Sequence, residues 1–139
     1  MNSHEIQLSR QLTTELLHLA QNSPEQEICG LIGAKDSQPV HCYPIQNTAK
    51  HPEQQFLLDT KQQIDAMATM RERGEELFAI YHSHPTSPAL PSDQDLAIAA
   101  YPEAVHLIIS LNTKGVLEMR GFKIHHHQAQ ELRLTLTVN

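Results

Sequence analysis

Tryptophan is absent from this sequence, and tyrosine and phenylalanine occur only three times each. A protein with so few aromatic side chains has little with which to stack the bases of a single-stranded nucleic acid. Basic residues are also scarce, because 10 Lys and Arg stand against 16 Asp and Glu, which gives a formal net charge of −6. This balance argues against nucleic acid, and against an anionic membrane, as the main partner.

Cysteine is almost as rare. The two cysteines, Cys29 and Cys42, cannot form a disulfide framework, and their spacing matches neither a Cys-x-x-Cys redox site nor half of a zinc ribbon. No stretch approaches the roughly 18 apolar residues that a membrane span needs. The polar residues at 1–11 do not resemble a secretory signal. We therefore expect a cytoplasmic protein that does not enter a membrane.

The sequence contains enough apolar residues to form one hydrophobic core. Its 139 residues are 40% apolar, so we expect residues 1–139 to form a single domain. Apolar residues recur at helical spacing over 7–21, and two further helices are predicted to begin at Asp59 and Ser92. Apolar runs predict strands at 28–34, 40–45, 77–81, 105–111, 116–122 and 132–138. Interspersed helices and strands predict an α/β or α+β layered domain with a mixed sheet.

Histidine is plentiful, with ten residues, but only two of them have the spacing of metal ligands. His82 and His84 lie two residues apart at the end of a predicted strand, so their side chains project to the same side. Asp95 lies in the first turn of the next predicted helix, beyond a stiff proline-rich loop. Two neutral imidazoles and one carboxylate form the three-ligand set of a catalytic zinc site, which keeps its fourth position open.

Each of these residues also has an ordinary structural interpretation. A lone histidine such as His82 is more often a plain polar side chain, and Ser92-x-x-Asp95 resembles a capping box at a helix start. Asp93 and Asp95 would also suit the positive end of a helix dipole. Taken one at a time these interpretations are favoured, whereas the complete spacing is much harder to produce by chance.

The complete pattern resembles a known family. His82-x-His84, seven residues and then Ser92-x-x-Asp95 is similar to the signature of the JAMM metalloproteases, the active MPN-plus branch of the MPN domain. The segment that begins at Glu27 is similar to the family's first strand, whose leading glutamate is catalytic. The resemblance runs from about residue 8 to at least residue 122. It implies a cytidine-deaminase-like fold, a curved mixed sheet with helices on both sides.

The resemblance also implies a role for each residue. His82, His84 and Asp95 would hold zinc, Glu27 would be the general base that activates the attacking water, and Ser92 would hydrogen-bond the oxyanion. The chemistry is consistent, because zinc lowers the pKa of bound water to about 7 and a nearby carboxylate can take its proton. Without the resemblance, Glu27 would be interpreted as a solvated acid.

Members of this family cleave peptide or isopeptide bonds after the C-terminal glycines of ubiquitin-like proteins. A chain this short resembles the stand-alone prokaryotic type, which acts on ubiquitin-like sulfur carriers. We therefore expect a zinc peptidase that cleaves after the Gly-Gly tail of such a carrier, with Phe56 and the loop at 47–55 as one wall of the tail groove. The alternative is a non-catalytic module that binds a ubiquitin-like partner or a metal, and the presence of Glu27 argues against it.

The other thiol and imidazole groups have simpler interpretations. Cys29 is more simply a small buried hydrophobe than an extra ligand, and His106, in an apolar run, is more simply a satisfied core histidine. The run His125–His127 can bind metal, but a solvated turn or edge is favoured. A zinc nucleoside deaminase is excluded, because its His-x-Glu and Pro-Cys-x-x-Cys motifs are missing.

Overall fold

The structure, a computed structural model, describes residues 5–98, 101–113 and 116–138. Within these residues the strands are β1 (Glu5–Ser9), β2 (Cys29–Lys35), β3 (Gln38–Ile45), β4 (Glu76–His84), β5 (Val105–Ser110), β6 (Glu118–His125) and β7 (Gln128–Thr137). The helices are α1 (Arg10–Gln21), α2 (Thr60–Glu72) and α3 (Asp93–Ile98). The predicted helix positions Ala99 and Ala100 and the predicted turn at Lys114 and Gly115 lie outside the described residues.

The strands form one mixed sheet in the order β1-β7-β6-β5-β4-β2-β3. The pairs β1–β7 and β4–β5 are parallel, and the other neighbours are antiparallel. The sheet curls until its edge strands, β1 and β3, approach each other. These features confirm the predicted fold class. They also confirm the central position of the apolar run that became β5, and the edge position that Pro44 indicated for β3.

The alternation of side chains along β4 divides the core between the two faces of the sheet. Ala79 and Tyr81 pack with Leu12 and Leu16 of α1 on one face. Ile80 points to the other face, where α2 packs on it. His82 and His84 follow Ile80 at intervals of two residues along β4, so their side chains point to the same face as Ile80. Helix α3 packs on the same face, over β5 and β6. The two histidines therefore lie on the face that α2 and α3 cover.

The beginning of the chain departs from the prediction. The helix expected over 7–21 starts only at Arg10, where the backbone N–H of Leu12 donates to the Ser9 hydroxyl at 3.0 Å. Residues before it form β1, in which Ile6 and Leu8 are buried and pair with β7. Leu8 and Leu12 have helical spacing, and the alternation of buried Ile6 and Leu8 with exposed Gln7 spans only five residues, so the helical pattern was given more weight. The helix prediction was therefore wrong over 7–9.

The second helix follows its predicted signals. The backbone N–H of Gln62 donates to the Asp59 carboxylate at 2.9 Å, which caps the start of α2. After the last turn, Gly74 adopts a φ of 72°, a left-handed conformation that suits glycine. The longest helix in the described part of the chain has 13 residues. None there is long and apolar enough to cross a membrane.

Candidate metal and catalytic site

Strand β4 carries the two histidines into the interior. His82 and His84 are only 1% and 3% exposed, and they end a strand that is paired on both sides, with β2 and with β5. Both rings point to one face because the residues are two apart in an extended chain. Their Nε2 atoms lie 3.1 Å from each other.

Asp95 reaches the same point from the first turn of α3. The backbone N–H of Ser92 donates to Asp95 Oδ2 at 2.9 Å, and the backbone N–H of Asp95 donates to Ser92 Oγ at 3.0 Å. This is the reciprocal pattern of a capping box, with aspartate in place of glutamate. The capping interpretation and the site interpretation are therefore compatible, because the same Oδ2 also lies 3.1 Å from Nε2 of His82 and of His84.

The protonation of His84 follows from its second contact. Its Nδ1 lies 2.8 Å from the carbonyl oxygen of Pro88. A carbonyl can only accept a hydrogen bond, so Nδ1 carries the proton and the Nε2 of the neutral ring presents a lone pair. The same Nε2 lies 3.1 Å from Asp95 Oδ2 and from the Nε2 of His82, so either a proton or a cation can bind between these three atoms. Electron-rich atoms that converge in this way are the surroundings a cation prefers.

Glu27 approaches from the segment just before β2. The backbone N–H of Ile28 donates to Ser83 Oγ at 2.8 Å, and the backbone N–H of Ser83 donates to the Ile28 carbonyl at 3.1 Å. These bonds place Glu27 beside β4, although the two segments are far apart in sequence. Glu27, His82 and His84 form a buried group whose possible ligand atoms all lie within 4.8 Å of one another.

The two carboxylates meet the histidines differently. Asp95 Oδ2 lies 3.1 Å from both Nε2 atoms, whereas the ligand atoms of Glu27, His82 and His84 lie within 4.8 Å of one another. The Oε1 atom of Glu27 is buried and has no hydrogen-bond partner in the described part of the chain. Asp95 is therefore in direct contact with both rings, and Glu27 keeps an uncommitted oxygen beside them.

The surroundings also shift the pKa values of the Glu27 and Asp95 carboxyls in opposite directions. Burial raises the pKa of Glu27 to about 8, although His84, when protonated, opposes the rise. Burial also opposes ionisation of Asp95, but the hydrogen bonds with His82 and His84 outweigh it and hold the pKa of that carboxyl well below its usual range. Neighbouring groups whose pKa values are driven apart in this way are typical of acid–base sites.

The thiol nearest the site is not a competing ligand. Cys29 is the β2 partner of His82, and it is buried. Its thiol donates to the carbonyl oxygen of Ile45 at 3.4 Å. Burial raises the pKa of the Cys29 thiol to about 12, and Cys29 is not in the group of Glu27, His82 and His84 whose ligand atoms lie within 4.8 Å of one another. Cys29 therefore behaves as the small buried side chain that was favoured.

His106 and His125–His127 do not belong to the group of converging ligand atoms. His106 is buried, as predicted for a core histidine, but its Nε2 has no hydrogen-bond partner among the described residues. Burial lowers the pKa of His106 to about 4, which keeps the ring neutral at neutral pH. His125, His126 and His127 are exposed where β6 turns into β7. That location is the solvated turn that the sequence favoured.

Phe56 lies directly over the site. Its ring stacks on the ring of His82 at a centroid distance of 4.3 Å and an interplanar angle of 19°. Two cavities meet there, one of about 330 Å³ and one of about 230 Å³, and both are lined in part by Phe56, Leu57 and Asp95. Phe56 was the residue predicted to form a wall of the substrate groove.

Two further residues, Ser83 and Asn47, hold these segments in place. Asn47 begins the loop at 47–55 that was predicted as one wall of the tail groove, whereas Ser83 had no predicted role. Asn47 Nδ2 donates to the carbonyl oxygens of Glu27, at 3.0 Å, and Gln55, at 2.9 Å. Its Oδ1 accepts the backbone N–H of Leu57 at 3.0 Å. Asn47 thereby joins the segment of Glu27 to the loop that carries Phe56. The only sequence signal for Ser83 was its position between the two histidines, and the hydrogen bonds of Asn47 were not predicted.

Comparison with known proteins identifies the family of this chain. The family model described as prokaryotic homologs of the JAB domain matches residues 9–124. A desampylase from Haloferax volcanii is 32% identical over 93 residues, which cover 66% of this chain and 67% of that protein. A CysO-cysteine peptidase from Mycobacterium tuberculosis is 28% identical over 109 residues, covering 77% of this chain and 73% of that protein.

A solved structure has a fold similar to that of this chain. A protein from Desulfitobacterium hafniense with a known solution structure superposes with a TM-score of 0.85 and 29% identity. The match covers 96% of this chain and 93% of that protein. Because the family model spans most of the chain and includes Glu27, His82, His84 and Asp95, this chain belongs to the family of prokaryotic homologues of the JAB domain.

Proposed function

We propose that this chain is a zinc metallopeptidase that hydrolyses the peptide or isopeptide bond after the C-terminal Gly-Gly tail of a ubiquitin-like sulfur-carrier protein. One observation carries the proposal: His82, His84 and Asp95 bring three ligand atoms to 3.1 Å from one another, beside the buried Glu27. Relatives named CysO-cysteine peptidase and probable TtuB-protein conjugate cleaving protease support the substrate class.

The donor set fits zinc. Bonds of about 2.0–2.1 Å at tetrahedral angles place neighbouring zinc ligands about 3.3 Å apart, close to the 3.1 Å separations seen among these three atoms. The ligand types are also those of catalytic zinc, two imidazoles and a carboxylate. The hydrogen bond from His84 Nδ1 to the Pro88 carbonyl is the kind of contact that orients a ligating histidine. We therefore assign zinc to His82, His84 and Asp95.

A bound zinc ion supplies Lewis acidity, which makes water a better nucleophile at neutral pH and polarises the scissile carbonyl. The chain's own part in proton transfer falls to Glu27. Its Oε1 is free of other hydrogen bonds among the described residues, so it can take the proton of the attacking water and deliver it to the leaving amine. A cation at the histidines favours the carboxylate form of Glu27 that this step needs.

Ser92 is suited to stabilise the oxyanion. Its Oγ accepts the backbone N–H of Asp95 at 3.0 Å, so the hydroxyl hydrogen remains available to donate. Ser92 is exposed, and it lies at the start of α3 next to the converging ligands. A hydrogen-bond donor at a developing oxyanion contributes on the order of a hundredfold or more to the rate.

The test compares wild type with Glu27→Gln and Asp95→Asn on a sulfur carrier that is extended by one residue after Gly-Gly. Wild type loaded with zinc should release the extension. Glu27→Gln should keep about one zinc ion per chain by metal analysis and lose at least about a hundredfold in kcat. Asp95→Asn should lose zinc.

Other results would contradict the proposal. If wild type binds the carrier but cleaves neither peptide-linked nor isopeptide-linked extensions, the protein is a binding module rather than a peptidase. If Asp95→Asn retains zinc as tightly as wild type, Asp95 is not a ligand, and Glu27 becomes the next candidate because it shares the group with both histidines.

A further inference from the structure

A proline-rich loop carries the carbonyl group that contacts His84. The loop spans residues 85–91, directly after β4, and three of its seven residues are prolines. Because proline has no backbone N–H, the loop has few donors with which to hold its own shape. The carbonyl oxygen of Pro88 nevertheless lies 2.8 Å from Nδ1 of His84. The position of this carbonyl therefore depends on contacts that the loop makes with the rest of the protein.

The side chain of Ser110 makes such a contact. Ser110 is only 3% exposed and ends β5, where it is the register partner of His84. Its Oγ donates to the carbonyl oxygen of Ser87 at 2.6 Å and accepts the backbone N–H of Asn112 at 3.1 Å. A serine hydroxyl has a single hydrogen, and that of Ser110 is committed to the loop.

The Pro88 carbonyl is thereby held from both sides. The Ser87 carbonyl belongs to the peptide unit directly before Pro88, and Ser110 fixes it. Directly after Pro88, Ala89 is fully buried and packs in one cluster with Ile108 of β5. Since peptide units are planar and the proline ring fixes φ, the positions of these two neighbours restrict the direction of the carbonyl between them.

We propose that Ser110 is a positioning residue for the metal ligand His84. Its hydroxyl holds the loop so that the Pro88 carbonyl accepts the Nδ1 proton and fixes the plane of the imidazole ring. The Nε2 atom then stays directed at His82 Nε2 and Asp95 Oδ2. The inference rests on the zinc assignment in the proposed function, and it adds a residue that lies outside the motif of metal ligands.

The test measures zinc affinity by competition with a chelator in wild type and in Ser110→Ala. Direct partners of a ligating histidine contribute about 10- to 100-fold to metal affinity. Ser110 acts one step further away, so we expect Ser110→Ala to weaken zinc binding by about 3- to 10-fold, as for the loss of one hydrogen bond. The variant should fold, because the groups that lose the hydroxyl belong to the exposed residues Ser87 and Asn112, where water can replace it.

Two further serine variants separate positioning of the ligand from a general loss of packing. Ser110→Thr keeps the hydroxyl, and a cavity of about 290 Å³ beside Ser110 leaves room for the added methyl group, so its zinc affinity should be close to that of wild type. Ser83→Ala is the matched control. It also removes a buried serine hydroxyl that bonds to the backbone, but the partner is Ile28 rather than the loop, so zinc affinity should not change.

Pro88→Gly tests the loop independently of Ser110. Pro88 is exposed, so the variant should fold, and glycine releases the φ that proline fixes. The carbonyl should then be less well directed at His84, and zinc binding should weaken as it does in Ser110→Ala. Zinc binding as tight as that of wild type in Pro88→Gly would overturn the proposal, because the loop would then need no fixing.

The other possible failures are distinguishable. If wild type binds no zinc, the zinc assignment is overturned, and the role of Ser110 falls with it. If wild type binds zinc but cleaves no carrier, the peptidase function is overturned, while weaker zinc binding in Ser110→Ala would still support the positioning role. That role is overturned if Ser110→Ala binds zinc as tightly as wild type, if Ser110→Thr is as weak as Ser110→Ala, or if Ser83→Ala weakens zinc binding to the same extent.

Discussion

Replacement of Ser83 by alanine should separate catalysis from metal binding. Ser83 is completely buried, and its Oγ accepts the backbone N–H of Ile28 at 2.8 Å. Without the hydroxyl, this N–H loses its partner, at a cost of about 1–3 kcal/mol in the free energy of unfolding. In a protein of this size the loss corresponds to a fall in Tm of about 3–10 °C.

The activity should respond more strongly than the stability. The Ser83–Ile28 bond holds the segment that carries Glu27 against β4, and a displacement of about 1 Å in a catalytic group can cost about a hundredfold in rate. We therefore expect Ser83→Ala to lower kcat by about 10- to 100-fold. Zinc content should stay the same, because the side chains of the proposed ligands His82, His84 and Asp95 make no hydrogen bond to Ser83 Oγ in the described part of the chain.

The assays are a thermal melt, metal analysis and steady-state cleavage of the extended carrier. Thr69→Ala serves as the control, because it removes an exposed hydrogen bond on α2, from Thr69 Oγ1 to the Asp65 carbonyl, and should change stability by less than about 0.5 kcal/mol. An unchanged kcat in Ser83→Ala would refute the reasoning that this bond positions Glu27. Loss of zinc in the variant would show that the bond supports the ligands instead.

Two further predictions concern stability. Gly30→Ala should lower the free energy of unfolding by about 1–3 kcal/mol, because a Cβ there would overlap the buried Tyr81 hydroxyl and the Tyr43 carbonyl oxygen. A thermal melt with the same Tm as wild type would contradict this packing. His106 takes up a proton near pH 6.5 in the unfolded chain but only near pH 4 in the folded protein. The unfolded state therefore binds more protons between these values, and stability should fall by up to about 3 kcal/mol as the pH drops through that window. Urea unfolding of wild type and His106→Leu from pH 7 to pH 4 measures the difference, and equal slopes would rule out His106 as the source.

Local signals in the sequence were sufficient for most of the secondary structure. The N-cap at Asp59 and the end of α2 before Gly74 follow from backbone preferences that act within a few residues. The strand β5 was predicted from its strongly apolar run, which is typical of a strand buried on both faces. The error at β1 has the opposite cause. Its partner β7 lies at the other end of the chain, and no local pattern reports such a pairing.

The sequence by itself also determined which chemistry was available. The spacing of His82, His84 and Asp95 places two imidazoles on one face of a strand and a carboxylate in the next helical turn, because strand and helix geometry are local properties. Only the tertiary structure decided how segments that are distant in the sequence come into contact. The pairing of β2 with β4, and the bond from Ile28 to Ser83, bring Glu27 to the histidines. The cavity of about 330 Å³ beside His82 likewise exists only because strands, helices and loops from separate parts of the chain enclose it, and such contacts depend on the whole fold rather than on neighbouring residues.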